Sequence, residues 1–276
     1  MTKSAFVLAL AVATAALGAA VASGDGGGPS PGSEMGWKGI AARSGKVRFV
    51  ALPGQRETIV AAVPVGGGPI TRWGVVHGAF GIPMVAFDGS KDGLSGDGKR
   101  LVLSTPTPNP GPVSKFPILA TNNLRVLRAV ILRGSWAYDA ISPDASKLYL
   151  VEYLATGLDA RYRVRAFDLV AGRLIPGAIV DRREEEAVMR GQPATRKWSP
   201  DGRWAYTLYA RQGKPPFVHA LDTVWGEAFC VDLPLRLGQS KQMTLRLRLR
   251  SGELDVRSGR STVAVVDTEQ LTARKG

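Results

Sequence analysis

Ser95-Gly-Asp-Gly-Lys-Arg-Leu-Val-Leu103, Ser142-Pro-Asp-Ala-Ser-Lys-Leu-Tyr-Leu150 and Ser199-Pro-Asp-Gly-Arg-Trp-Ala-Tyr-Thr-Leu208 share one pattern. Each opens with Ser-x-Asp, which can bond its own turn, and runs straight into alternating apolar residues that suit a strand. The leading serines lie 47 and 57 residues apart. Self-similarity at that period marks an array of supersecondary units, and units made of strands point to a propeller.

A second mark recurs in phase with the first. Val164-Arg-Ala-Phe-Asp168, Val218-His-Ala-Leu-Asp222 and Val263-Ala-Val-Val-Asp267 each end a strand in an Asp able to cap the next turn, whereas Phe116-Pro-Ile-Leu-Ala120 has Ala at that place. A further apolar run follows each one, completing a four-strand unit. The units are Pro83 to Leu132, Trp136 to Val180, Pro193 to Leu233 and Met243 to Arg274, the last with its turn decayed to Arg250-Ser251-Gly252-Glu253. Ahead of them, Lys46 to Leu52 and Glu57 to Val65 predict a hairpin that either begins an incomplete fifth blade or closes the ring. No stretch has convincing helical periodicity, and the best, Arg182 to Arg190, is short and charged. The expected fold is all-β, a propeller of four to five four-stranded blades over residues 46–276.

These Ser-Pro-Asp-Gly-Arg turns, with aromatic-rich strands after them (Tyr149; Trp204 and Tyr206), resemble the repeats of TolB-type and WD-like β-propellers of bacterial envelope proteins. The resemblance covers Lys46 to Arg274 and implies a fold more than a function, since propellers host enzymes, transport accessories and interaction platforms alike. Departures from the pattern are Gly96 in place of Pro and Ala145-Ser146 in place of Gly, which predict local irregularity. The Trp-Asp dipeptides of eukaryotic WD repeats are absent.

Residues 1–22 have one early cation, Lys3, an apolar run and a small-residue exit at Ala20-Val21-Ala22, the make-up of a cleaved export signal. An uncleaved anchor is the alternative. Residues 23–45 are expected to be a Gly/Pro/Ser-rich linker. Cys230 is the single cysteine, so no internal disulfide can form, and its apolar neighbours make it a small hydrophobe in a strand. The 36 basic against 23 acidic residues give +13, a field that favours anionic cell-surface polymers. Charge alone would also suit nucleic acid, but export argues against it, so no nucleic-acid partner and no membrane span beyond the signal are expected. Leu245-Arg-Leu-Arg-Leu-Arg250 alternates strictly, as a strand with one charged, solvated face does.

Asp97, Asp144 and Asp201 are expected to be turn formers, spread around the ring rather than gathered in one site. His77 and His219 cannot build a metal site alone, and neither has an obvious nucleophile beside it. Gly66-Gly67-Gly68-Pro69 lacks the Lys-Ser/Thr ending and following helix of a phosphate loop. Asp181-Arg-Arg-Glu-Glu-Glu186 reads as a solvated insertion. In a ring, the loops entering the inner strands converge on the axial mouth. On that ground Phe80, Asp88, Trp136, Tyr138, Asp139, Arg196 and Trp198 are the candidate binding residues, with Trp136 and Trp198 alternatively filling space between blades. No catalytic set, cofactor or metal is expected. The function implied is an exported, non-catalytic binding or protein-interaction scaffold in the cell envelope or outside it. The alternatives are a lactonase-like hydrolase with an axial carboxylate or metal site, and a basic adhesion protein for anionic polymers.

Overall fold

The computed structural model describes residues 30–42, 44–106, 112–155, 160–181, 183 and 188–276. The export signal expected at 1–22 lies outside them, as do residues 182 and 184–186 of the charged insertion.

The repeated turns are built by their own side chains. In each, the serine hydroxyl donates to Asp Oδ1 (Ser95 to Asp97, 2.6 Å; Ser142 to Asp144, 2.7 Å; Ser199 to Asp201, 2.5 Å). The same Oδ1 accepts the backbone N–H two residues on. The serine oxygen in turn accepts the N–H of Arg100, Lys147 or Trp204 at the start of the strand. For Asp201 the Ser199 hydroxyl is the main cause of a carboxyl held below its usual range; for Asp97 and Asp144 partial burial works the other way and the hydrogen bonds outweigh it. Gly98 and Gly202 take positive φ of 69° and 74°, and Ala145 adopts the same conformation at 56°, so the third blade keeps the turn with a residue that strains in it. Gly96 has a steric reason: a Cβ there would lie 2.8 Å from the Cα of Pro143 in the next turn, whose carbonyl accepts the Asp97 N–H at 2.9 Å. The second mark is equally local. Asp168, Asp222 and Asp267 each accept two successive N–H groups with Oδ1.

Around these turns the described residues form five blades. A short strand β1 (Ser33–Glu34) precedes the first blade, β2 (Gly36–Ala41), β3 (Val47–Pro53), β4 (Glu57–Pro64) and β5 (Arg72–His77). After β6 (Ile82–Pro83), which pairs with β1, comes the second blade, β7 (Arg100–Val102), β8 (Val113–Ala120) and β9 (Val126–Arg133). The third is β10 (Trp136–Ile141), β11 (Lys147–Ala155), β12 (Arg161–Asp168) and β13 (Arg173–Leu174). The fourth is β14 (Gln192–Trp198), β15 (Trp204–Ala210), β16 (Phe217–Asp222) and β17 (Glu227–Asp232). A short helix, α1 (Gln239–Gln242), leads to the fifth, β18 (Arg246–Arg250), β19 (Glu253–Ser258), β20 (Ser261–Asp267) and β21 (Thr272–Lys275). All pairings are antiparallel, and within the five blades they join consecutive strands; the exception is the short β1–β6 pair, which brackets the first blade. The hairpin predicted at Lys46–Val65 is therefore neither an incomplete blade nor a closure: it is β3 and β4, the middle of a complete sheet whose first strand lies inside the stretch predicted as linker.

Blades pack face to face through period-two apolar residues. One cluster joins the first and second blades (Phe49, Val60, Leu101, Leu119, Leu124), another the second and third (Phe116, Ile118, Leu148, Phe167), two the third and fourth, and one the fourth and fifth (Leu208, Val218, Leu247, Val256). Leu247 is buried in the last of these while Arg246, Arg248 and Arg250 of β18 are exposed. The second blade has only three regular strands because its innermost segment leaves the sheet. Phe87 and Asp88 donate their N–H groups to the carbonyls of Pro193 and Ala194 on β14, reaching past the third blade at 2.9 and 3.2 Å.

Candidate functional site

The inner strands of the third and fourth blades both slip register, β10 between Tyr138 and Ala140 and β14 between Pro193 and Thr195. Such bulges re-aim side chains. Here they accompany a buried ion pair between the two blades. Arg196 Nη2 donates to Asp139 Oδ1, Nη1 to the Asp139 backbone carbonyl, and Nε to the Thr207 hydroxyl at 2.7 Å. Arg196 and Asp139 are 5% and 3% exposed. Burial disfavours the guanidinium charge, yet the Asp139 carboxylate outweighs it and holds the Arg196 proton more firmly than usual.

Asp92, on the segment that enters the axis from the second blade, lies within the electrostatic reach of this pair. Its Oδ1 accepts the Gly93 N–H at 2.7 Å and its Oδ2 has no hydrogen-bond partner. Burial pushes its pKa up to about 7, against the pull of the Arg196 charge. Burial, followed by the Asp92 charge, raises the neighbouring Tyr138 phenol well above its ordinary value. Neither the Tyr138 hydroxyl nor Asp139 Oδ2 completes a hydrogen bond, although the phenol stands near enough to Asp92 to favour its carboxylate. Tyr138 and Asp139 line a cavity of about 20 Å³ with Tyr153, Tyr162 and Tyr209, and with Ser30, Pro31 and Pro193. A space of that size and polarity takes one water and nothing larger. Next to Tyr209, His219 is 1% exposed and burial lowers its pKa to about 4.

Of the residues predicted for an axial mouth, the structure brings together Tyr138, Asp139 and Arg196, and it buries all three. Phe80 belongs to the cluster between the first and second blades. Trp136 packs between the second and third, its Nε1 donating to the Arg133 carbonyl at 2.8 Å, and Trp198 is partly buried between the third and fourth. Asp88 sits on the exposed loop, accepting the Ser90 hydroxyl at 2.6 Å, 3.9 Å from Arg246 Nε. Asp97, Asp144 and Asp201 stay in their separate turns. Asp92, Thr207 and the tyrosine wall were not among the sequence candidates: Asp92 stands in Lys91-Asp92-Gly93 and reads as one more turn Asp. Cys230 is half-buried, its N–H donating to the buried Asp181 carboxylate at 2.6 Å. Among the described residues no three His, Cys, Asp or Glu are grouped to hold a metal ion, and no helix is long and apolar enough to cross a membrane.

No family model matches this chain, and no curated protein does. Solved structures that are similar include hydrazine synthase from Kuenenia stuttgartiensis (14% identity, 86% of this chain and 76% of that one, TM-score 0.44). TolB from Acinetobacter baumannii is similar over 87% of this chain and 53% of its own (9% identity, TM-score 0.45), and the Dos1 propeller over 86% and 56% (11% identity, TM-score 0.46). The chain thus spans about half the length of the last two. The likeness to TolB and other propellers is one of fold alone.

Proposed function

We propose that this chain is an exported, non-catalytic β-propeller that serves as a protein-interaction scaffold in the bacterial envelope. The observation that carries this reading is the state of the axis. The ionisable groups that a propeller hydrolase would present at its mouth, Asp139 and Arg196, are bonded to each other and buried, and the space beside them holds about one water. A substrate would have to break a desolvated ion pair to reach them. What the molecule offers to a partner is its outer surface, which is basic and carries large exposed apolar side chains such as Trp37, Trp73 and Trp225. Export rests on the make-up of residues 1–22.

The test is crosslinking of the tagged chain in its own cells, with the mature mass read from the same preparation. The reading expects a chain starting near Ser23, one or two stoichiometric protein partners in the envelope fraction, and no turnover of lactone or ester substrates with or without calcium. Turnover abolished by Asp139→Asn would overturn it. Retention on anionic polymers that collapses as salt rises would favour adhesion instead.

A further inference from the structure

The two outer edge strands β5 and β9 differ from the outer strands of the other blades. β13 has two residues, and neither β17 nor β21 exposes a large apolar side chain, whereas β5 exposes Trp73 and Val75 and β9 exposes Val126, Leu127 and Ile131. Long, apolar, unpaired edges are normally blunted, because their free N–H and C=O groups invite another strand.

Between these strands lies an open recess of about 820 Å³. Its walls are Trp73 and Val75 on one side and Val126, Ala129 and Ile131 on the other. The recess is held in shape from beneath. Leu124, fully buried with φ of 55°, docks the β8–β9 turn into the core between the first two blades. A Cβ at Gly74 would lie 2.4 Å from the Leu124 carbonyl oxygen, so only glycine lets β5 sit this close.

The recess also has a sign. Lys115, opposite Ile131 in the sheet, and Arg125 line it, and Arg72 begins β5. None of the three has a carboxylate partner among the described residues, although other surface arginines, such as Arg163, Arg203 and Arg274, do. An apolar floor between unpaired cations and beside free strand edges fits a polypeptide that is extended, acidic and apolar at alternate positions.

We propose that this rim recess is a docking site for an extended acidic segment of a partner protein, added along the free edge of β9 with alternate apolar side chains set against Trp73, Val126 and Ile131. This deepens the scaffold reading and rests on it.

The test selects a displayed library of random ten-residue peptides on the full chain, then measures enriched peptides by fluorescence anisotropy against the parent, Ile131→Asp and Lys115→Glu. Both changed side chains are exposed, so an unchanged Tm shows that the variants fold. The proposal expects enriched sequences that alternate Asp or Glu with Leu, Phe or Trp, and an increase in Kd of about tenfold or more in each variant. It is overturned by no enrichment, by enrichment of basic or charge-free sequences, or by binding that both variants leave unchanged. It is also overturned if Ile131→Asp instead abolishes binding to phosphatidylglycerol vesicles or self-association of the chain. A stoichiometric envelope partner captured equally well by both variants would remove this site and leave the scaffold reading standing; substrate turnover would remove both.

Discussion

Asp139→Ala would strand the Arg196 guanidinium in the interior. Arg196 is 5% exposed, so water cannot take the place of the missing carboxylate, and removing one member of a buried ion pair costs about 3–5 kcal/mol. In a domain of this size each kcal/mol moves Tm by about 2–4 °C, so a fall of roughly 6–20 °C is expected. The double variant Asp139→Leu/Arg196→Met removes both charges and keeps the volume apolar. Buried pairs are often no better than such replacements, and the remaining cost, a Thr207 hydroxyl without its Nε partner, is about 1 kcal/mol. The double variant should therefore be more stable than the single one. Asp92 adds a pH signature. With Asp139 gone it is the carboxylate left to answer Arg196, which it can do only when ionised, so Asp139→Ala should lose more stability at pH 5.5 than at pH 8.5. Urea unfolding followed by circular dichroism at both pH values gives all the quantities. A loss under about 1 kcal/mol for the single variant, or a double variant that loses the sum of the two singles, would refute the assignment of a buried, mutually dependent pair.

Two buried groups should shape stability in opposite directions between pH 4 and 7. Asp92 has a folded pKa of about 7, above its ordinary 3.8, so its contribution is present at low pH and lost as pH rises through 7; His219, at about 4 against 6.5, contributes above 6.5 and loses that contribution as pH falls towards 4. Asp92→Asn should leave stability falling steadily with acid, and His219→Phe should leave it rising, in urea titrations taken at small pH steps; parallel curves for parent and variants would contradict this. Ala145→Gly removes a left-handed alanine costing about 1–2 kcal/mol, less the 0.4–1 kcal/mol by which glycine loosens the unfolded chain, and should raise Tm by a degree or more. Gly96→Ala, whose Cβ would meet Pro143 at 2.8 Å, should cost about 1–3 kcal/mol in the same thermal melt.

What was legible in the sequence is what the chain decides locally. The Ser-x-Asp turns and the strand-ending aspartates bond within five residues of themselves, so their spacing alone announces the blades. The first blade was half hidden for the opposite reason. β2 follows a glycine-rich stretch, β5 follows Gly66-Gly67-Gly68-Pro69, and both are strands only because β3 and β4 offer them edges. At the axis, position in the repeat picked out Tyr138, Asp139 and Arg196 but said nothing of Asp92, which arrives from a segment that has left its own sheet. The rim recess was out of reach as well, since Arg125 to Leu132 looks like any apolar strand until the neighbouring blade is seen to stop short of it.

Among the described residues each of the five blades is woven from one uninterrupted length of chain, and only the two-residue pair β1–β6 reaches around a blade. Among the described residues no strand of the last blade is lent to a sheet of the first, and no apolar cluster spans the two. The hydrogen-bond ladders therefore record nothing about how many blades there are. A blade could be duplicated or deleted by a single cut in the gene between two turns without any strand of another blade having to find a new neighbour.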